Sequence, residues 1–128
     1  MNFPAIGAVA AGGALGCVAR YLVGVAAVRL FGLGFPWGTL FINVLGSFVL
    51  GAFAQWFTLS WNASQTTRLF LTVGICGGFT TFSTYLLDVA VLIGRGALNA
   101  AVIYAVISLM LGIAALYSGL YLVRFLHP

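Results

Sequence analysis

The chain reads as an all-α membrane protein with four transmembrane helices, and three observations carry that reading. Hydrophobic residues make up 63% of the 128 and charged residues only 5%, whereas a soluble chain carries about a quarter charged residues to face water. The ionisable set is five Arg, Asp88 and His127, with neither Lys nor Glu. At about 20 residues per span, short polar or glycine-rich interruptions divide the length into four apolar segments. This size excludes a soluble catalytic domain, an ATPase and a nucleic-acid-binding module. Five scattered Arg form no basic patch for nucleic acid. They are expected near the membrane interfaces, where an Arg stem snorkels.

Residues 1–128 form a single transmembrane domain. Met1-Asn2-Phe3-Pro4 lacks a basic leader region, so the first apolar segment is expected to stay as a helix, over 4–31, with Arg20 inside it. Pro4 and Pro36 are start markers, because proline is tolerated in a first helical turn. Gly32-Leu33-Gly34 turns the chain, and Pro36 opens a second helix over 36–59. Ser60-Trp61-Asn62-Ala63-Ser64-Gln65 is the most polar stretch and reads as a loop. A third helix covers 67–93, Gly94-Arg95-Gly96 is a tight turn, and a fourth helix covers 97–126. Trp37, Trp56 and Trp61 fall near segment ends, where indoles favour the headgroup layer. Cys17 and Cys76 lie in apolar stretches without CxxC spacing and read as small buried hydrophobes rather than metal ligands.

Alternating helices place Arg68 and Arg124 on one side, and Arg29 and Arg95 on the other, with Arg20 about two turns inside that second end. A fixed orientation normally shows a clear cationic excess on the cytoplasmic side. Near parity leaves two readings: insertion both ways with antiparallel pairing, or a weak bias that still fixes the chain. Ala8, Gly12, Gly16, Arg20 and Gly24 recur every fourth residue, as do Asn43, Ser47 and Gly51. Small residues at this spacing let helix backbones approach closely, either within one chain or across a homo-oligomer.

Polar groups in mid-span are the functional candidates, since lipid cannot satisfy them. Asn43 lies about seven residues into the second helix and offers two amide donors; an interhelical hydrogen bond is its simplest use. In Gly74-Ile75-Cys76-Gly77-Gly78-Phe79-Thr80-Thr81-Phe82-Ser83-Thr84-Tyr85, paired glycines followed by β-branched threonines make poor helix, so the third helix is expected to break near 74–81. Broken helices at membrane depth line cavities or bind ions. Carbonyls freed near Gly77 to Thr80 would suit Na⁺, or else bond to neighbouring helices. Phe82 and Tyr85 share a face; their rings either pack or offer positive edges to a small anion. With Ser83, Thr84, Tyr104 and Ser108, Asn43 would complete a polar track without fixed charge, suited to weak, repeated anion sites.

The run Gly77-Gly78-Phe79-Thr80-Thr81-Phe82-Ser83-Thr84-Tyr85, with Trp37-Gly38-Thr39 leading to Asn43, resembles the Fluc family of bacterial fluoride channels. The resemblance spans essentially the whole chain. It implies a passive, fluoride-selective channel in the cell inner membrane, exporting fluoride through two pores of an antiparallel, dual-topology homodimer. It also implies Na⁺ at the dimer interface on the backbone carbonyls of Gly77 and Thr80. Asn43, Phe82, Ser83, Thr84, Tyr85, Tyr104 and Ser108 match the family's fluoride pore, Phe82 and Tyr85 taking the two places of its aromatic pair. Tyr85 replaces the commoner second Phe. Arg20 matches a first-helix Arg with a structural or vestibule role.

Two other classes compete. A small proton-coupled multidrug exporter needs an acid deep in the membrane, and Asp88, near the exit of the third helix, is the one acid; a helix-end role beside Arg95 is its plainer reading. A non-transporting assembly subunit would explain the glycine stripes but not the hydroxyl cluster beside a helix break. A passive anion path needs no ATP and no nucleotide.

Overall fold

A computed structural model describes residues 2–60 and 62–128; Trp61, expected at a segment end, lies outside them, as does Met1. Four helices are long and apolar enough to cross a membrane. The first, α1 (Phe3–Phe31), starts where the Asn2 side chain accepts the Ala5 N–H, leaving Pro4 in the first turn, where no N–H is needed. It stops at Gly32, whose φ of 75° suits only glycine without cost. α2 (Trp37–Leu59) follows, with Pro36 as its cap rather than its first helical residue.

The third span, Gln65–Gly94, is composite. Ser64 caps α3 (Gln65–Leu69) by accepting the Thr67 N–H. The helix then widens into a π-helical segment, Phe70–Cys76, and tightens again in α4 (Gly77–Phe79). Thr80 (φ −77°, ψ 158°) and Thr81 (φ −154°, ψ 121°) are extended. α5 (Phe82–Gly94) resumes the span, capped by the Thr81 hydroxyl on the Thr84 N–H. The interruption is therefore narrower than the 74–81 the composition suggests, because residues 70–79 keep helical backbone, π-helical to Cys76 and α-helical over Gly77–Phe79. Gly96, at φ 76°, turns the chain into α6 (Leu98–Leu126).

The glycine stripe of α1 is used inside the chain. α1 packs along the π-helical segment and α4. A Cβ at Gly12 would stand 2.5 Å from the Phe70 carbonyl oxygen, and one at Gly16 would run into the Ile75 carbonyl. The facing side is equally bare, since a Cβ at Gly78 would stand 2.6 Å from the Gly13 oxygen. Likewise α2 lies along α6, where Gly51 meets the Leu116 carbonyl and Gly119 the Phe48 carbonyl. Leu40, Tyr85, Leu92, Ala101 and Tyr104 form the buried cluster. Outward positions such as Leu15, Leu87, Ile103, Met110 and Ile113 are exposed and apolar, as a lipid-facing surface requires.

Two of the Arg secure loops. Arg68 donates to the Ser60 and Ala63 carbonyls at 3.1 and 3.3 Å, with its guanidinium 5.4 Å from the centre of the Phe57 ring. Arg95 donates to the Leu33 carbonyl at 2.8 Å, tying the last turn to the first.

Candidate functional site

Loss of helical geometry at Thr80–Thr81 strands backbone groups that must find other partners. Asn43, on the facing side of α2, supplies them. Its Nδ2 donates to the Thr81 carbonyl at 2.9 Å, and its Oδ1 accepts the Thr81 N–H at 2.8 Å. One side-chain amide thus pairs with both backbone groups of one residue, the N–H and the carbonyl of Thr81. The Thr81 hydroxyl also lies 3.1 Å from that of Thr84 and 3.4 Å from that of Ser83.

Beside this clasp lies a cavity of about 530 Å³ lined by Asn43, Ser47, Phe82, Tyr85 and Ser108, with Gly77 and Thr80 at its wall. None of its lining residues is charged. The Phe82 and Tyr85 ring centroids are 5.7 Å apart, with planes tilted by 38°. The two rings differ sharply in setting: Phe82 is 67% exposed on the chain's outer surface, whereas Tyr85 is buried. The Tyr85 hydroxyl donates to the Ala105 carbonyl at 2.7 Å, which pins α5 to α6. Its ring lies 5.4 Å from that of Tyr104. Ser108 is buried, and its hydroxyl has no partner among the described residues. A buried hydroxyl of this kind is left able to donate to a group entering the cavity.

A second cavity, of about 800 Å³, lies between α1, α2 and α5. Arg20, Thr84 and Asp88 line it, with Arg29 and Arg95. Thr81 lines both cavities. The residues expected to form one polar track are therefore divided. Asn43, Phe82, Tyr85 and Ser108 share the uncharged cavity, Thr84 and Arg20 face the charged one, and Ser83 and Tyr104 line neither. Ser83 is exposed, while Tyr104 is wholly buried and donates to Asp88 Oδ2 at 3.0 Å. Asp88 thus takes Tyr104 as its partner, and Arg95 is occupied at Leu33. Cys76 is buried as expected, but Cys17 is exposed and lines the charged cavity, 3.5 Å from the Arg20 guanidinium.

Ser47 and Thr81 belong to this site and were absent from the expected set. Ser47 carries a sequence signal, four residues after Asn43 and so on its face. Thr81 acts through its backbone, held by Asn43, and through its hydroxyl, which caps α5; side-chain chemistry gives no signal for the first.

The sites of Gly77 and Thr80 fit a small hard cation chemically. Such ions take oxygen ligands, and carbonyls of unwound membrane helix supply them. Both residues face the uncharged cavity, and a Cβ at Gly77 would meet only the Thr72 oxygen, at 3.8 Å.

Residues 7–120 match the family described as CrcB-like protein, camphor resistance (CrcB). The chain is 55% identical over 126 residues to fluoride-specific ion channel FluC 1 of Nitrobacter hamburgensis, covering 98% of this chain and 100% of that protein. It is 50% identical to the fluoride-specific ion channel FluC of Agrobacterium fabrum, over 93% of this chain and 95% of the relative. Against the protein of that name in Caulobacter vibrioides it is 50% identical, over 91% and 92% of the two chains.

Proposed function

The chain belongs to the CrcB-like family, and from that premise we infer that it is a fluoride-specific ion channel and not an enzyme. The observation that carries this reading on the structural side is the uncharged cavity with an unpartnered Ser108 hydroxyl at its wall. Fluoride holds its water tightly, so a path must replace that water with close donors. Ser108 is one donor. Asn43 is another, because one of its two amide protons remains after the bond to Thr81. The ring edges of Phe82 and Tyr85 add positive partial charge. With no Arg at these positions, each contact stays weak enough for the ion to leave.

We assign the pore to Asn43, Phe82, Tyr85 and Ser108, continued past Thr81 by Thr84 toward Arg20 at a vestibule, in an antiparallel homodimer that holds two pores in the inner membrane. Ser83 reaches the pore only where a second copy covers the chain, and Tyr104 backs the Tyr85 ring. The outward exposure of Phe82 and Ser83 supports a second copy, since one chain alone leaves them uncovered. Na⁺ on the Gly77 and Thr80 carbonyls would supply a fixed positive charge where the copies meet. Transport is passive. HF enters uncharged and dissociates near neutral pH, and the inside-negative potential drives the trapped anion out, at about 2.3 kcal/mol per 100 mV. A proton-coupled exporter would need Asp88 as its carrier, yet that carboxylate already accepts the Tyr104 hydroxyl.

The test is flux from liposomes holding only this protein, with fluoride and chloride measured in parallel. Fluoride efflux without matching chloride efflux is the expected outcome. Silence toward fluoride from protein that still elutes as a folded dimer would overturn the reading.

A further inference from the structure

In an α-helix each carbonyl accepts the N–H four residues on. The Gly77 carbonyl would therefore take the Thr81 N–H, and the Thr80 carbonyl the Thr84 N–H. Both of those N–H groups are captured by side chains instead. Thr81 N–H goes to Asn43 Oδ1 at 2.8 Å, and Thr84 N–H goes to Thr81 Oγ1 at 3.2 Å. Between them, the Thr80 N–H keeps its helical bond, donating to the Cys76 carbonyl at 2.9 Å. The capture occupies the helical donors of the two carbonyls at the cavity wall, Gly77 and Thr80, while the Thr80 N–H stays in register.

We propose that Asn43 and Thr81 are positioning residues for the cation site, their side chains holding the Thr81 and Thr84 amides away so that the Gly77 and Thr80 carbonyls stay free as ligands. The proposal rests on the assignment of Na⁺ to those carbonyls. It gives Asn43 two tasks at one amide, an acceptor turned to the backbone and a remaining N–H for the pore. It also predicts which atoms matter. For Thr81 it is the hydroxyl oxygen, which Ser retains and Val lacks at similar volume. For Asn43 it is the carbonyl oxygen, which Leu lacks. Second partners that orient metal ligands are typically worth about 10–100-fold in metal affinity.

The experiment is thermal stability of the purified dimer, titrated with Na⁺ against N-methylglucamine at constant ionic strength. Wild type should be stabilised by Na⁺, and Thr81→Ser should have a half-saturating concentration within about threefold of wild type. Thr81→Val and Asn43→Leu should each raise it by at least about tenfold, at the low end of that range. Wild-type affinity in both Thr81→Val and Asn43→Leu overturns this proposal and leaves the Na⁺ assignment standing. A wild-type protein indifferent to Na⁺ overturns both.

Where a variant fails to assemble, amide exchange in the wild-type protein decides. If side chains hold the Thr81 and Thr84 amides permanently, their exchange is the same with and without Na⁺. An amide that gains protection only on Na⁺ withdrawal has returned to its helical carbonyl, and the proposal falls.

Discussion

At the scale of single residues, Phe82 and Tyr85 separate ring chemistry from hydroxyl chemistry. Phe82 is 67% exposed on the isolated chain, so Phe82→Ile removes little packing within it, and a near-volume-conserving swap costs less than about 1.5 kcal/mol. It does remove the positive ring edge. Fluoride flux should therefore fall strongly in a protein that still elutes as a folded dimer; wild-type flux would refute an anion contact at that ring. Tyr85→Phe does the reverse. The edge remains, and what is lost is a hydrogen bond to the Ala105 carbonyl, worth about 0.5–1.5 kcal/mol net. Flux should persist with a modest drop in thermal stability, because the hydroxyl is turned to α6. A silent Tyr85→Phe channel would mean that the hydroxyl serves the ion after all. The difference between the two residues was not legible in their three-residue spacing, which puts them on one face but does not say which ring the neighbouring helix covers.

Among the elements, the spans were legible and their junctions less so. Hydropathy divides the chain into four apolar segments at the markers Pro4, Gly32, Pro36 and Gly96, and the structure has four helices long and apolar enough to cross a membrane. After the paired Gly77-Gly78 of the third span, Thr80 and Thr81 are the two residues with extended backbone. The π-helical register of Phe70–Cys76 was not announced, because it depends on where α1 lies: Gly12 and Gly16 touch the Phe70 and Ile75 carbonyls, a contact made 58 or more residues along the chain. Asn43 signalled that it needed a partner, but the partner is the backbone of Thr81, 38 residues away, and backbone carries no sequence mark. The α2–α6 pairing gives a test at this scale. A Cβ at Gly51 would run into the Leu116 carbonyl, whereas one at Gly7 meets nothing within 4 Å. Gly51→Ala should destabilise by about 1–3 kcal/mol, the cost of overpacking, and Gly7→Ala should be near neutral. Equal melting temperatures for the two would show that α2 and α6 are free to separate.

For the whole molecule, orientation is the property that charge controls. Arg68 and Arg124 lie at one end, and Arg29 and Arg95 at the other. The structure also gives each end one Arg fastened to its own loops: Arg68 to the Ser60 and Ala63 carbonyls, and Arg95 to the Leu33 carbonyl. These partners are neutral, so both guanidinium charges still count toward topology, and the ends differ by no more than Arg20, which lies on the Arg29 and Arg95 side. A cationic excess on one side is what the cytoplasm retains. With a difference this small, insertion in both directions is the outcome expected, and both orientations should coexist in one membrane. In a chain with Cys17 and Cys76 replaced by Ala, a cysteine introduced at Asn62 should react with an impermeant maleimide from either face, each reaching about half of the protein. Arg introduced at Asn62 and Ala63 should shift labelling toward the cytoplasmic side. If an antiparallel pair forms the pores, the same change should lower fluoride flux, and a second chain biased the other way should restore it. Labelling from one face alone in the unbiased chain would show that a cue other than Arg count sets its direction, and the antiparallel arrangement would fall with it.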